Sequence, residues 1–291
     1  MSNLDKNRIA MNFSNAAKDY EQHAVLQKLV AERLLSRLDL MKLAPEWIVD
    51  IGSGVGISAR ALRKKYRGAR VLQIDLSHAM LNFSRQKASR WFSGQFYSCA
   101  DAESLPVATG RVDIIFSSLM LQWCNEPDCV FAEARRLLRT NGLFLFTTLG
   151  PETLRELRAS WANIDNDEHV HSFFDLHLLG DALVGVGLEG VVMESEKITL
   201  NYQDCTRLMR DLKALGANNV VSSRRKALTG RDKMQRMMQA YENYRVAGSL
   251  PATYEIIYGH AWAPPVRTHL TQSGQAVFVP VASVKRTRKT G

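Results

Sequence analysis

The chain's 291 residues, 46% hydrophobic and 23% charged, suit one large globular domain or one domain with an insertion. No apolar run approaches the ~20 residues that span a bilayer, and Met1 to Tyr20 lacks the apolar core of a secretory signal. A cytoplasmic location and no membrane partner are therefore expected. Cys99, Cys124, Cys129 and Cys205 show no paired metal spacing and read as small hydrophobes. Thirty-eight Lys and Arg against 29 Asp and Glu give a net charge of +9, which favours an acidic partner, nucleic acid or protein. Lys285-Arg286-Thr287-Arg288-Lys289 reads as a solvated tail.

In chain order, Asn3 to Leu40 is mostly helical and is read as an N-terminal cap spanning 1–40. From Trp47 to Leu149, short apolar runs alternate with amphipathic stretches, which predicts a parallel sheet with crossover helices. The expected strands are 47–51, 70–75, 95–99, 111–118 and 142–149; the expected helices are 57–66, 77–89 and 127–139. Asn141-Gly142 is expected to cap the last helix in the left-handed conformation. Later strands are expected at 188–200, 253–263 and 276–284. The segment 204–247 is helical with breaks at Gly216 and Gly230, and is expected to form a lid over the carboxyl ends of the strands, where open α/β sheets bind ligands. The main domain is thus 41–264, followed by a C-terminal extension, 265–291.

The sharpest signal is Asp50-Ile51-Gly52-Ser53-Gly54-Val55-Gly56 after a buried strand, with Val71-Leu72-Gln73-Ile74-Asp75 beyond it. Glycines there allow tight turning and close approach of a ligand, and the following helix points its amide-rich end at that ligand. A dinucleotide fingerprint needs its third glycine at position 57, which is Ile, and a phosphate loop needs Gly-Lys-Ser/Thr, which is absent. Asp-x-Gly-x-Gly-x-Gly with an acid ending the next strand resembles the cofactor loop of class I S-adenosylmethionine-dependent methyltransferases.

That resemblance implies a Rossmann-like α/β fold with helices on both faces, and S-adenosyl-L-methionine as cofactor. Asp50, Gly52, Gly54 and Gly56 become cofactor-loop candidates. Asp75 lies 23 residues beyond Gly52, near the ~20 expected of a ribose-binding acid; capping a helix at Ser77 is its alternative role. Met80 is placed against the adenine face or in the core. The acid after the third strand, Asp101, with its neighbour Ala102, is the candidate for adenine, against a simple turn-forming role. Ser118 and Leu119 are expected beside the methionine portion, with Trp123 walling the pocket.

Four further strings narrow the family. They are Phe13-Ser14-x-Ala16-Ala17-x-x-Tyr20-x-x-His23-Ala24, Leu149-Gly150-Pro151-x-Thr153-Leu154-Arg155-Glu156-Leu157, Phe174-x-x-x-x-Leu179-Gly180-Asp181-Ala182-Leu183 and Leu208-Met209-Arg210-Asp211-Leu212-Lys213-x-Leu215-Gly216-Ala217-Asn218-Asn219. Together they resemble the malonyl-[acyl-carrier protein] O-methyltransferases of biotin synthesis, over about Asn7 to Trp262. The resemblance implies methylation of the free carboxylate of a malonyl thioester on an acidic acyl-carrier protein.

A carboxylate with a pKa near ~4 is already ionised at neutral pH, so methyl transfer needs alignment, desolvation and a seat for the acid rather than a base or metal. Arg210 is the candidate cation for that seat, on a helix whose apolar face carries Leu208, Met209, Leu212 and Leu215. Tyr20 is the second candidate, closing the pocket from the N-terminal helix; a core tyrosine is its alternative. His23 and Arg155 are weaker. His169-Val170-His171 among Asp167, Glu168 and Asp175 lacks zinc-site spacing, so no metal is expected. Arg224-Arg225-Lys226 and Arg63-Lys64-Lys65-Tyr66-Arg67 are possible carrier-docking groups or solvated faces. Rival functions are methylation of a small free acid such as trans-aconitate, or a non-methylating assembly factor of the same fold. A nucleic-acid methylase is disfavoured because Ser117-Ser118-Leu119 stands where an Asn/Asp-Pro-Pro-Tyr loop would follow the fourth strand.

Overall fold

The computed structural model describes residues 3–88, 94–217, 220, 230–265 and the short strands at 269–270 and 276–277. Arg224-Arg225-Lys226, Asn218-Asn219, most of the strand expected over 276–284 and the basic tail lie outside the described residues. Three helices come first, α1 (Lys6–Ala16), α2 (Tyr20–His23) and α3 (Val25–Arg37). Asp5 caps α1, its carboxylate accepting the Arg8 amide at 3.1 Å.

Seven strands form one sheet: β1 (Trp47–Ile51), β2 (Arg70–Asp75), β3 (Gln95–Cys99), β4 (Val112–Ser118), β5 (Leu138–Leu149), β6 (Glu189–Tyr202) and β7 (Leu250–Trp262). Their order is β3-β2-β1-β4-β5-β7-β6. The first five run parallel, and β7 pairs antiparallel with both β5 and β6. Because β2 and β4 flank β1 on opposite sides, the winding reverses there, and a crevice opens beyond the carboxyl ends of β1 and β4.

Helices α4 (Ile57–Lys65), α5 (His78–Lys87), α6 (Pro127–Leu137), α7 (Arg155–Ala162), α8 (Leu176–Gly185), α9 (Cys205–Ala214) and α10 (Arg231–Glu242) follow in chain order. Alternate strand residues face opposite layers. Ile48, Ile114, Phe116, Leu143 and Leu145 meet α3, α4 and α7, while Val49, Ile115, Phe144 and Phe146 meet α6 and α8. Both layers exclude water, at roughly 25 cal/mol per Å² of apolar surface removed from it. The β6 edge carries charge rather than apolar surface: Glu194 and Glu196 pair with Arg37 and Arg33 of α3.

The structure moves one expected feature. Asn141-Gly142 caps no helix; α6 ends at Leu137 and β5 begins at once. Asn141 takes φ +60° inside β5, where the register with β4 shifts, and its amide bonds the Ala263 carbonyl at 3.1 Å. The sequence signal was a real left-handed residue, used here as a bulge. In the basic run 63–67, Arg63 donates to the Tyr66 carbonyl at 3.3 Å and Lys65 pairs with Asp39, so part of that run is structural.

Candidate active site

A cavity of about 710 Å³ lies over the carboxyl ends of β1, β2 and β4. Its far wall comes from α2, α9, α10 and the segment between α7 and α8.

The three loop glycines have separate jobs. All take positive φ, +71° at Gly52, +53° at Gly54 and +77° at Gly56. A Cβ on Gly52 would overlap the Met120 side chain, and one on Gly56 would overlap Ser84. At Gly54 a Cβ would meet nothing within 4 Å, because this residue opens onto the cavity. Gly52 and Gly54 line the cavity, whereas Gly56 and Asp50 do not. Those two, expected at the ligand, lie behind the cavity wall. Gly56 begins α4 and allows close packing against α5, while Asp50 is buried beneath the loop at 1% exposure.

The loop is tied to β2. Gly52 and Ser53 both donate to the Ile74 carbonyl, at 2.7 and 3.1 Å. Gly54 donates to one Asp75 carboxylate oxygen at 2.8 Å, and Ser77 donates to the other at 2.8 Å. Asp75 therefore does meet the start of α5, but it also lines the cavity. Burial pushes its carboxyl up to about 6 despite those two donors. Burial, then the charge of Asp75, pushes Asp50 up to about 8, and its Oδ2 has no partner.

Met80, Asp101 and Ala102 line the same side. Asp101 accepts the Lys6 ammonium at 3.0 Å, and Lys6 also reaches Glu103 at 2.9 Å. Sequence reading missed Lys6, which meets Asp101 across 95 residues and leaves no local pattern.

Ser118 and Leu119 close β4 at the cavity wall. Leu119 holds φ +51°, a costly conformation for a branched side chain, and hydrogen bonds enforce it. Its amide donates to the Thr147 carbonyl at 3.0 Å, and its carbonyl accepts the Gln122 amide at 2.6 Å. Thr148 in turn donates to the Gln122 side-chain oxygen at 3.2 Å. Gln122 was also missed from sequence.

On the opposite wall, Tyr20 lines the cavity, its phenol held protonated by burial and by the nearby charge of Asp75. Phe13 lies edge-on to Tyr20 at 6.4 Å and to Trp123 at 5.2 Å. Trp123 approaches His171 at 5.5 Å, and His171 approaches Phe173 at 4.6 Å. Trp123 walls the pocket as its position suggested.

Arg210 is not brought into the cavity. Its side chain is exposed, while Met209 and Leu212 of the same helix are on the cavity wall and Leu208 is buried. At ~100° per residue, position 210 points ~180° away from the mean of 208 and 212, so the arginine faces outward. Arg155 is likewise exposed and pairs with Glu152 and Glu156. His23 meets Asp211 at 3.3 Å, tying α2 to α9 at the cavity rim.

Asp165, Asp167 and His169 each bring one ligand atom within 4.8 Å of the others. That space already holds a cation: Lys233 of α10 reaches Asp165 at 2.7 Å, and His169 reaches its other oxygen at 2.7 Å. His169 also stacks on Trp161 with 3.6 Å between ring centroids. Hydrogen bonding to Lys233 holds the Asp165 carboxyl down at about 2. The arrangement reads as a fastener between α10 and the segment after α7.

Fold and crevice together define a Rossmann-like methyltransferase of class I. The family model described as a methyltransferase domain matches residues 49–146. Among solved structures, the YcgJ protein of Bacillus subtilis superposes with a TM-score of 0.59 at 14% identity, covering 80% of this chain and 98% of that one. A Haemonchus contortus phosphoethanolamine N-methyltransferase 2, solved with phosphomonomethylethanolamine and S-adenosylhomocysteine, gives 0.52 at 17% identity over 86% of this chain and 57% of its own.

Two sequence relatives narrow the assignment. A malonyl-[acyl-carrier protein] O-methyltransferase of Laribacter hongkongensis is 47% identical over 90% of this chain and 91% of its own. Another so named, from Gallionella capsiferriformans, is 41% identical over 97% and 98%. The chain belongs to the malonyl-[acyl-carrier protein] O-methyltransferase family.

Proposed function

We propose that the protein transfers the methyl group of S-adenosyl-L-methionine to the free carboxylate of a malonyl thioester carried by an acidic acyl-carrier protein. The observation that carries this is the single cavity shared by the Gly54–Asp75 wall and the lid, in a chain whose relatives bear that enzyme name. The net charge of +9 suits an acidic carrier.

In this reading the cofactor lies across Gly52 and Gly54, with its ribose hydroxyls on Asp75. The adenine lies near Met80, Asp101 and Ala102, and the methionine portion against Ser118 and Leu119. Asp50 and Gly56 support the loop from beneath. Tyr20 closes the far side over the methyl-transfer path. The reaction is an in-line displacement: a carboxylate oxygen forms the new C–O bond as the methyl–sulfur bond breaks, and the electron pair leaves on sulfur. The acceptor arrives ionised, so no proton is abstracted. The protein's work is to align the two and to strip water from the oxygen.

The test is to incubate purified protein with S-adenosyl-L-methionine and malonyl-carrier protein, and to follow the intact carrier by mass. A gain of one methyl group on the malonyl unit is expected. Turnover of free small acids with none of the thioester would transfer the assignment to a small-acid methyltransferase. No S-adenosylhomocysteine from any acid would favour a non-methylating role.

A further inference from the structure

The outward side of α9 has no role in the site described above. Leu208 and Leu212 mark the inward side of this helix, and at ~100° per residue Arg207, Arg210 and Lys213 all fall within ~60° of the opposite direction. Thr206 and Ala214 are the other residues of α9 on that arc, so the strip carries three cations and no acid. At ~1.5 Å per residue it runs ~9 Å along the helix. Asp211 lies to one side and is held by His23 at 3.3 Å. Arg207 stands 3.9 Å from Asp204, and both side chains are more than half exposed. Among the described residues, Arg210 and Lys213 are exposed and have no acidic partner. Cations that no neighbour neutralises keep their field for a partner in solution.

The strip leads to the mouth of the cavity. Lys213 is exposed and also lines the cavity. The His23–Asp211 contact brings the start of α3 alongside, where Val25 lines the cavity with 62% of its surface exposed. Lys213 and Val25 belong to both the cavity and the outer surface, so they mark its rim, one cationic and one apolar. An acceptor borne on a protein enters by its arm alone, and the bearer stays outside against the surface beside the mouth. The rival basic surface is the run on α4, where Lys64 and Arg67 are exposed; neither of them lines the cavity.

We propose that the Arg207–Arg210–Lys213 strip, with Val25 at the rim, docks the acidic surface of the acyl-carrier protein and aims its thioester arm into the cavity. The proposal rests on the malonyl-thioester reading above. It makes these docking residues rather than catalytic ones, and complementarity of this kind is expressed in encounter and affinity.

The test compares Arg207→Glu/Arg210→Glu with Lys64→Glu/Arg67→Glu, which shifts the net charge equally on another face. With malonyl-carrier protein as acceptor, the α9 variant is expected to raise KM at least about tenfold with kcat within about twofold of wild type. The α4 variant stays within about twofold in both. With the malonyl thioester of N-acetylcysteamine, which brings no protein to dock, both variants stay within about twofold of wild type. Added salt narrows the gap between wild type and the α9 variant. Equal losses in the two variants reduce the effect to net charge and overturn the proposal, as does a larger loss in the α4 variant. An α9 variant that keeps the wild-type KM, loses only in kcat, or loses equally on the small thioester also overturns it. Melting curves check folding; if the Glu variant fails to fold, Arg207→Gln/Arg210→Gln replaces it, with a rise in KM of about threefold expected and an unchanged KM overturning the proposal. If the wild type methylates carrier-bound malonate but not the small probe, the KM comparison decides. Methylation of no malonyl thioester at all overturns the function and the proposal together.

Discussion

Cofactor binding should release a proton from Asp75. In the free protein, burial raises this carboxyl to about 6, although the Gly54 and Ser77 amides each donate to it at 2.8 Å. Ribose hydroxyls donate, so the ionised form accepts both, and occupancy draws the group back toward the ordinary ~4 of a carboxylate. The sign follows. Below pH ~6 the free site must shed a proton before it binds, so affinity rises with pH and levels off above that value. Each pH unit below the plateau costs about tenfold, or ~1.4 kcal/mol, which makes binding near pH 5 roughly tenfold weaker than near pH 8. Asp50, pushed up to about 8, keeps its proton through most of that range, so the two acids carry one charge between them. Asp75→Asn removes the titration and the charge-assisted bonds, lowering the plateau by about 10–100-fold, near 1.5–3 kcal/mol. Calorimetry with S-adenosylhomocysteine across this pH range, in buffers of different ionisation enthalpy, reads both affinity and released protons. A wild-type affinity that is flat from about pH 5 to 7, or an Asn variant that keeps the same slope, would refute the assignment.

Asp50 gives a stability test. A carboxyl raised to about 8 contributes stability that is present below its unfolded ~4 and lost as pH climbs through 8, so the ligand-free protein should melt lower near pH 8 than near pH 5. Asp50→Asn should flatten that decline, and parallel melting profiles would contradict it. Gly54→Val places a branched side chain at φ +53° and fills the open space above the loop. It should cost ~1–2 kcal/mol of stability by denaturant titration and abolish S-adenosylhomocysteine binding; retained affinity would show that nothing approaches this residue closely. Arg210→Ala should methylate a small malonyl thioester within about twofold of wild type, since the side chain is exposed and off the cavity wall; a loss well beyond the tenfold that ~1.4 kcal/mol represents would return the arginine to the site.

The glycine-loop side of the cavity was legible in the sequence because its demands are local. Tight turning at Gly52 and Gly54 needs residue types that tolerate positive φ, and Asp75 must end the very next strand, so the whole pattern falls within one βαβ unit. Long-range contacts around the cavity carry no such signature. Lys6 finds Asp101 across 95 residues, Lys233 finds Asp165 across 68, and His23 finds Asp211 across 188. Only the three-dimensional fold brings these together. Leu119 is a middle case, since its left-handed backbone is held by Gln122 and Thr147 rather than excused by a glycine.

Arg210 shows how a chemical demand can outrun a pattern. Helical spacing identified the apolar face of α9 correctly, and the same spacing puts residue 210 on the opposite side. The arginine was favoured because an acid entering a dry pocket needs a positive partner. On the proposed reaction, the donor already supplies that charge, a sulfonium directly facing the incoming oxygen. In a site screened from water, this attraction aligns the two reactants along the bond to be formed. A guanidinium gripping the same oxygen would hold back the lone pair that must attack. On the same reading the apolar wall of Met209 and Leu212 from α9 and Leu157 from α7 does the opposite: it would strip water from the carboxylate and leave the lone pair free.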